Sequence, residues 1–80
     1  MTKDLRKWRK KIDKVDKRLE KLLGKREKLI KEIGKVKKRA GIKIEHLSRE
    51  KEVLKKIESP TIRKVFKEIM KISKELQGKL

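Results

Sequence analysis

No cysteine occurs among the 80 residues, which excludes a disulfide framework, a thiolate nucleophile and any cysteine-ligated metal. The one histidine, His46, has no second histidine with which to build a metal site, and neither metal nor cofactor is expected. Tyrosine is absent and there are one tryptophan and one phenylalanine. That leaves too few aromatic faces to stack on bases, and no nucleic-acid reading motif accompanies them. No apolar run approaches the length of a membrane span or a signal-peptide core, so no membrane partner is expected and the expected location is cytoplasmic. Asparagine is missing and glutamine occurs once, against an abundance of Lys, Glu and Arg, a usage similar to that of hyperthermophilic proteins. A single proline, Pro60, and four glycines leave few places where a helix must stop.

What is there is charge. Charged residues make up 51% of the chain and the net charge is +17. Such a balance suggests polyanions, but Lys7, Lys14, Lys21, Lys28 and Lys35 recur every seven residues as a solvated face. Some lysines also stand at helical pairing distance from acids, as in Asp13 with Lys17 and Glu27 with Lys31. No specific nucleic-acid partner is therefore expected, although a basic field concentrates any small anion. The apolar residues, 34% of the total, are periodic rather than scattered, which argues against disorder.

That periodicity is strictest from Leu5 to Ala40. Leu5, Trp8, Ile12, Val15, Leu19, Leu22, Leu29, Ile33, Val36 and Ala40 alternate steps of three and four, apart from one gap at position 26. They mark one amphipathic helix with an apolar seam. At 1.5 Å per residue this helix is roughly 50 Å long, whereas a compact domain of this size is about 30 Å across. One chain cannot cover such a seam, and 80 residues bury too little core to be comfortable alone. An intertwined homodimer is the expected architecture: all-α, a single domain over residues 1–80, with three helices of which one is very long.

The first helix is expected over about residues 4–39, with Asp4 at its positive end and Gly41 as its stop. A loop over 40–47 tucks Ile42 and Ile44 inward. A second helix over about 48–58 starts at Ser48 and turns Leu47, Val53, Leu54 and Ile57 to the core. The third, about 60–77, has the strongest start signal, Ser59 as N-cap with Pro60 in the first position.

Polar residues that break these patterns are the candidate functional ones. Arg26 stands in the seam itself, where a charge that cannot be discharged needs an anion or a route to water. Arg9 and Lys37 lie beside the seam. Glu50 falls on the inward row between Leu47 and Leu54, next to Arg49, and the row Ile62, Phe66, Met70 continues as Ser73 and Gln77. Each has a structural alternative. Arg9, Lys37 and Arg49 can cover the seam with their stems; Arg26 and Glu50 can form a buried pair; Ser73 can back-bond within its helix; Gln77 can be exposed near the C-terminus. Together, however, four cations and one acid converge on apolar faces, which suits a ligand carrying about two negative charges. Arg26 and Lys37, roughly 16 Å apart along the helix, can lean to a common point, but Arg9 lies roughly 25 Å from Arg26. Arg9 therefore serves the partner's site if it serves one, giving two composite sites per dimer.

With these residues in view, the chain resembles an all-helical chorismate mutase of the AroQ class from about Leu5 to Gln77. The stretches that carry the likeness are RKKIDKVD with Arg9, LLGKREKLI with Arg26, IGKVK with Ile33 and Lys37, REKEVL with Arg49 and Glu50, and FKEIMKISKELQ with Met70, Ser73 and Gln77. The resemblance implies an isomerase that rearranges chorismate to prephenate, the shikimate-pathway step toward phenylalanine and tyrosine. It implies that Arg26 and the partner's Arg9 bind carboxylates with Arg49 assisting, that Lys37 and Gln77 donate to the ether oxygen, and that Glu50 holds the ring hydroxyl. Ser73 would touch a carboxylate, and Ile33 and Met70 would form apolar walls. A concerted rearrangement needs no nucleophile or proton shuttle, and with the non-titrating Gln77 as donor the rate should depend little on pH around neutrality.

Two departures from the family pattern are visible. His46 stands where an acidic residue is common, and the connection near Glu58 and Ser59 is short. A monofunctional enzyme, without a fused dehydratase, dehydrogenase or effector-binding segment, is the expectation. An isochorismate-pyruvate lyase of the same fold and a basic coiled-coil binding module remain as alternatives at this point.

Overall fold

The computed structural model describes residues 2–80 and contains no strand among them. Three α-helices, α1 (Thr2–Ala40), α2 (Leu47–Lys55) and α3 (Pro60–Gly78), make the chain all-helical. Gly24 and Gly34 lie inside α1 without breaking it. Asp4 falls in its first turn and Lys37, Lys38 and Arg39 in its last, each sign opposing the helix dipole. The stop is built by Gly41, which takes a left-handed φ of 67°. Its N–H reaches Lys38 O at 3.3 Å and Ile42 N–H reaches Lys37 O at 2.8 Å, a paired closure that satisfies the last carbonyls and favours glycine at the left-handed position.

Helix α2 begins and ends earlier than its sequence suggests. His46 rather than Ser48 occupies the N-cap, with no side-chain cap, and the helix stops at Lys55 rather than near residue 58. The early end follows from what comes next. Ser59 must be extended because Pro60 follows it, and at ψ 121° it is. The last turn of α2 therefore tightens, with Lys56 N–H on Val53 O and Ile57 N–H on Leu54 O, and the chain reverses through 57–59. Ser59 Oγ accepts from Ile62 N–H at 3.2 Å, with Pro60 at the first helical position.

Helix α3 lies along the C-terminal half of α1 and α2 packs on α3, but no α-carbon of α2 comes within 8 Å of one on α1. Two helices held by a third and kept apart leave a cleft between them. The molecule measures 57 × 23 × 15 Å with a radius of gyration of 16.4 Å, well above the value of about 12 Å for a compact chain of this length.

The stripe of α1 that α3 uses is not the seam. The contacts come from the flank, where Gln77 reaches the Ile30 carbonyl and Gly34 lies against Gln77, and from Arg26, which leaves its seam position sideways to reach Ser73. All the seam residues from Leu5 to Val36 stay exposed, as at Ile12 (60%) and Leu22 (61%). Ile42 and Leu47, expected to turn inward, are exposed as well; in a single chain nothing lies over them. Among the described residues, no helix is long and apolar enough to cross a membrane.

Candidate active site

The cleft encloses about 500 Å³, within the usual range for small-molecule sites. Its polar lining is Arg26 and Lys37 from α1, His46 at the start of α2, Arg49 and Glu50 from α2, and Ser73, Lys74 and Gln77 from α3. Leu29, Ile30, Ile33, Ile44, Val53 and Met70 form its apolar walls. Four cations thus face one carboxylate.

Arg26, Lys37 and Gln77 are each aimed by one neutral acceptor and keep protons to spare. The Ser73 hydroxyl donates to Ile69 O in its own helix at 2.7 Å, so its lone pair is left to accept from Arg26 Nη1. Arg26 has no carboxylate partner among the described residues, and loss of hydration on burial lowers its pKa from the usual guanidinium value without discharging it. One of its five N–H groups is committed to Ser73, so four remain. Lys37 Nζ donates to Ile44 O at 2.8 Å, which leaves two protons and pins the loop to α1. Gln77 is 7% exposed, and its Nε2 donates to Ile30 O at 3.2 Å. Only the amide nitrogen can make that bond, so the flip is settled and the second N–H is free for a ligand.

Gly34 makes this placement possible. A Cβ there would lie 3.1 Å from Gln77 Cγ and 2.7 Å from Leu80 Cδ1, so the bare backbone lets α3 come close at the level of Gln77. Gly34 belongs to the IGKVK stretch that carries the family likeness, but the sequence assigned it no role. Its signal was a glycine in mid-helix, costing about 1 kcal/mol relative to alanine, with no turn to justify it.

Eight of the nine residues expected at the site line this one cleft: Arg26, Ile33, Lys37, Arg49, Glu50, Met70, Ser73 and Gln77. Arg9 does not; it lies on the free N-terminal half of α1. Arg49 sits at the rim and pairs with Glu52 at 3.3 Å. Arg26 and Glu50 do not pair with each other. Glu50 instead meets Lys74 at 2.9 Å, and Lys74 also reaches Glu45 at 3.4 Å. Lys74 is the polar residue that the pattern missed. From Met70, a step of three reaches Ser73 and a step of four reaches Lys74, and both face the cleft.

The all-helical fold and a cation-rich cleft framed by three helices define the class. Residues 8–78 match the family described as chorismate mutase type II, and the chain belongs to that family. It is 33% identical over 75 residues to a bifunctional chorismate mutase/prephenate dehydratase of Aquifex aeolicus, an alignment that covers 94% of this chain and 17% of that protein. It thus spans about a sixth of the length of this curated relative. A conserved hypothetical protein of Pyrococcus furiosus has a similar structure, with a TM-score of 0.84 and 40% identity over 91% of this chain and 93% of that one.

Proposed function

We propose that the protein is a chorismate mutase that works as a homodimer, rearranging chorismate to prephenate on the route to phenylalanine and tyrosine. The observation that carries this reading is the cleft itself, in which Arg26 and Lys37 hold spare donors and have only neutral partners. Fixed cations left without counter-ions in a partly enclosed space form a site for a dianion.

The chemistry follows from the donors. Chorismate must be held in a compact conformer with its reacting carbons in contact, and negative charge grows on the ether oxygen as the bond to it breaks. Arg26 binds one carboxylate, joined by Arg9 of the partner subunit, with Arg49 assisting at the rim. Lys37 and the free N–H of Gln77 stabilise the ether oxygen in the transition state, where preorganised donors act most strongly. Glu50 accepts the ring hydroxyl, and Ile33 and Met70 shape the walls. Because the Ser73 proton is committed to Ile69 O, Ser73 acts by steering Arg26; direct contact with a substrate carboxylate requires that proton to be released. The exposed seam of α1 supports the dimer, since only a second long helix offers a matching stripe, and that helix carries Arg9 to the other cleft.

The test is loss of chorismate absorbance and formation of prephenate with the purified protein, with Lys37→Ala and Arg9→Ala proteins and with their mixture. Parent turnover, loss in both variants and partial recovery on subunit exchange are expected. Turnover of isochorismate alone would assign the lyase. Turnover of neither, by a folded dimer whose polyanion binding falls steeply with salt, would assign the binding module.

A further inference from the structure

Lys74 has no part in the mechanism above, yet it is the best-paired cation of the cleft. Its ammonium joins three segments: α3, which carries it, α2 through Glu50 at 2.9 Å, and the 41–46 connection through Glu45 at 3.4 Å. Charge is segregated around the cavity. Arg26 and Lys37 have a hydroxyl and a carbonyl as partners, whereas both nearby carboxylates are gathered on Lys74.

That segregation solves a problem intrinsic to such a site. Glu50 is the one carboxylate lining a cleft that also holds Arg26, Lys37 and Arg49. Charge-assisted pairs are strong where water is partly excluded. A carboxylate without a fixed partner would fold onto the nearest free cation in the empty site, occupying the donors meant for the ligand. We propose that Lys74 is a positioning residue, holding the Glu50 carboxylate off the anion-binding cations and toward the ring hydroxyl, so that Arg26 and Lys37 stay open for substrate. Glu45 anchors Lys74 from the far side. The hydrogen bond to Glu50, then that to Glu45, raises the Lys74 pKa from 10.5 against the opposing loss of hydration, so the clamp is charged at any working pH. This role rests on the reading of the cleft as a chorismate-rearranging site.

Steady-state kinetics with chorismate on the parent, Lys74→Met, Lys74→Arg, Glu50→Gln and the Lys74→Met/Glu50→Gln double variant test it. Lys74→Met should raise KM about tenfold, a typical coupling between neighbours in one network, and Lys74→Arg should restore it to within about threefold of the parent. Adding Glu50→Gln to Lys74→Met should lower KM again, because the stray carboxylate is gone, while kcat stays at the Glu50→Gln level. A residue that merely stiffens the fold would not show that reversal. A Lys74→Met protein within about twofold of the parent, or penalties that multiply in the double variant, would overturn the proposal. The crystal structure of Lys74→Met gives a readout without turnover: Glu50 should lie within about 4 Å of Arg26 or Lys37, and Glu50 left in its parental position would sink the idea. A parent inactive on chorismate would defeat the proposed reaction, while that structure would still decide the role of Lys74. Should Lys74→Met not fold, Lys74→Gln removes the same charge and is read the same way.

Discussion

Helix α1 carries two parallel stripes with opposite fates. The seam, mainly Leu, Ile, Val and Trp, is exposed along its length, with Leu29 and Ile33 also edging the cleft; the flank of Ile30 and Gly34 packs on α3, and with Arg26 and Lys37 it opens on the cleft. The three buried side chains of α3 follow the same inversion, since Ser73 and Gln77 are polar and only Met70 is apolar. Buried polar groups and exposed apolar stripes are the informative departures from ordinary burial. Taken together they describe a chain that is inside out on its own. The stripe suited to a protein is empty, while the stripe suited to a small anion is already built.

Breaking the seam should have the largest effect. Ile12→Asp places a carboxylate in the middle of the exposed stripe, far from the cleft. A monomer would tolerate it. A dimer would bury one unpaired charge per chain, at a penalty of several kcal/mol each. The expected outcome is a shift from two chains to one by analytical ultracentrifugation, with activity lost because Arg9 no longer reaches a second cleft. A parent that sediments as a monomer, or a variant that stays dimeric and active, would refute the assignment of the seam.

The next substitution separates the stripes where they meet. Arg26 occupies a seam position but leaves it sideways to Ser73. Arg26→Leu should complete the seam, adding up to about 1.5–3 kcal/mol of apolar burial per chain and preserving or raising the melting temperature. Turnover should fall by about 10²-fold or more, the typical loss of one preorganised donor. A polar residue that only set helix register would give the first change without the second.

Much of this division was legible in the sequence, and the reasons differ by element. The seam and the start of α3 follow from local rules, strict spacing in one case and Ser59 with Pro60 in the other. Arg26, Glu50 and Gln77 were visible because each breaks a pattern that its neighbours keep. The early end of α2 was harder, because it depends on how a three-residue connection must turn before Pro60. Lys74 was hidden by its chemistry. Among 29 Lys and Arg residues, one more lysine on a helix face carries no signal until its two acid partners, 24 and 29 positions back in the chain, are brought beside it. The role of Gly34 was hidden for a related reason, since a close approach of helices is a property of the pair.

Gly34→Ala sharpens the comparison by acting on the flank alone. Alanine is the better helix former by about 1 kcal/mol, which offsets the crowding, because the Leu80 methyl is the end of a flexible side chain and can swing aside. Gln77 Cγ, at 3.1 Å from the added Cβ, must move by a few tenths of an ångström. The melting temperature should therefore change little, while kcat falls by about tenfold as the Gln77 donor is displaced, since small misplacements near the reacting atoms are amplified in rate. Equal losses in stability and activity would mean that Gly34 matters only for packing.

The smallest expected effect concerns the electrostatic clamp at the cleft. Lys74 has its pKa raised, chiefly by its hydrogen bond to Glu50 and next by that to Glu45, with the cations Arg26, Lys37 and Arg49 and the imidazole of His46 across the cavity. A lysine whose folded pKa lies above its unfolded value binds its proton more tightly when folded. Its stabilisation is then fully present below the ordinary lysine value of 10.5 and is lost as pH rises through the raised folded value. Deprotonation of Lys74 opens the clamp. The seam, being apolar, has no such term. The difference in melting temperature between the parent and Lys74→Met should accordingly be flat from about pH 7 to 10 and shrink above about pH 10.5. Lys74→Arg should retain the advantage over Lys74→Met across the same range, because a guanidinium keeps its proton there. A parent-to-Lys74→Met difference that stays constant above that point would show that the ammonium is not what holds Glu50 and Glu45 together.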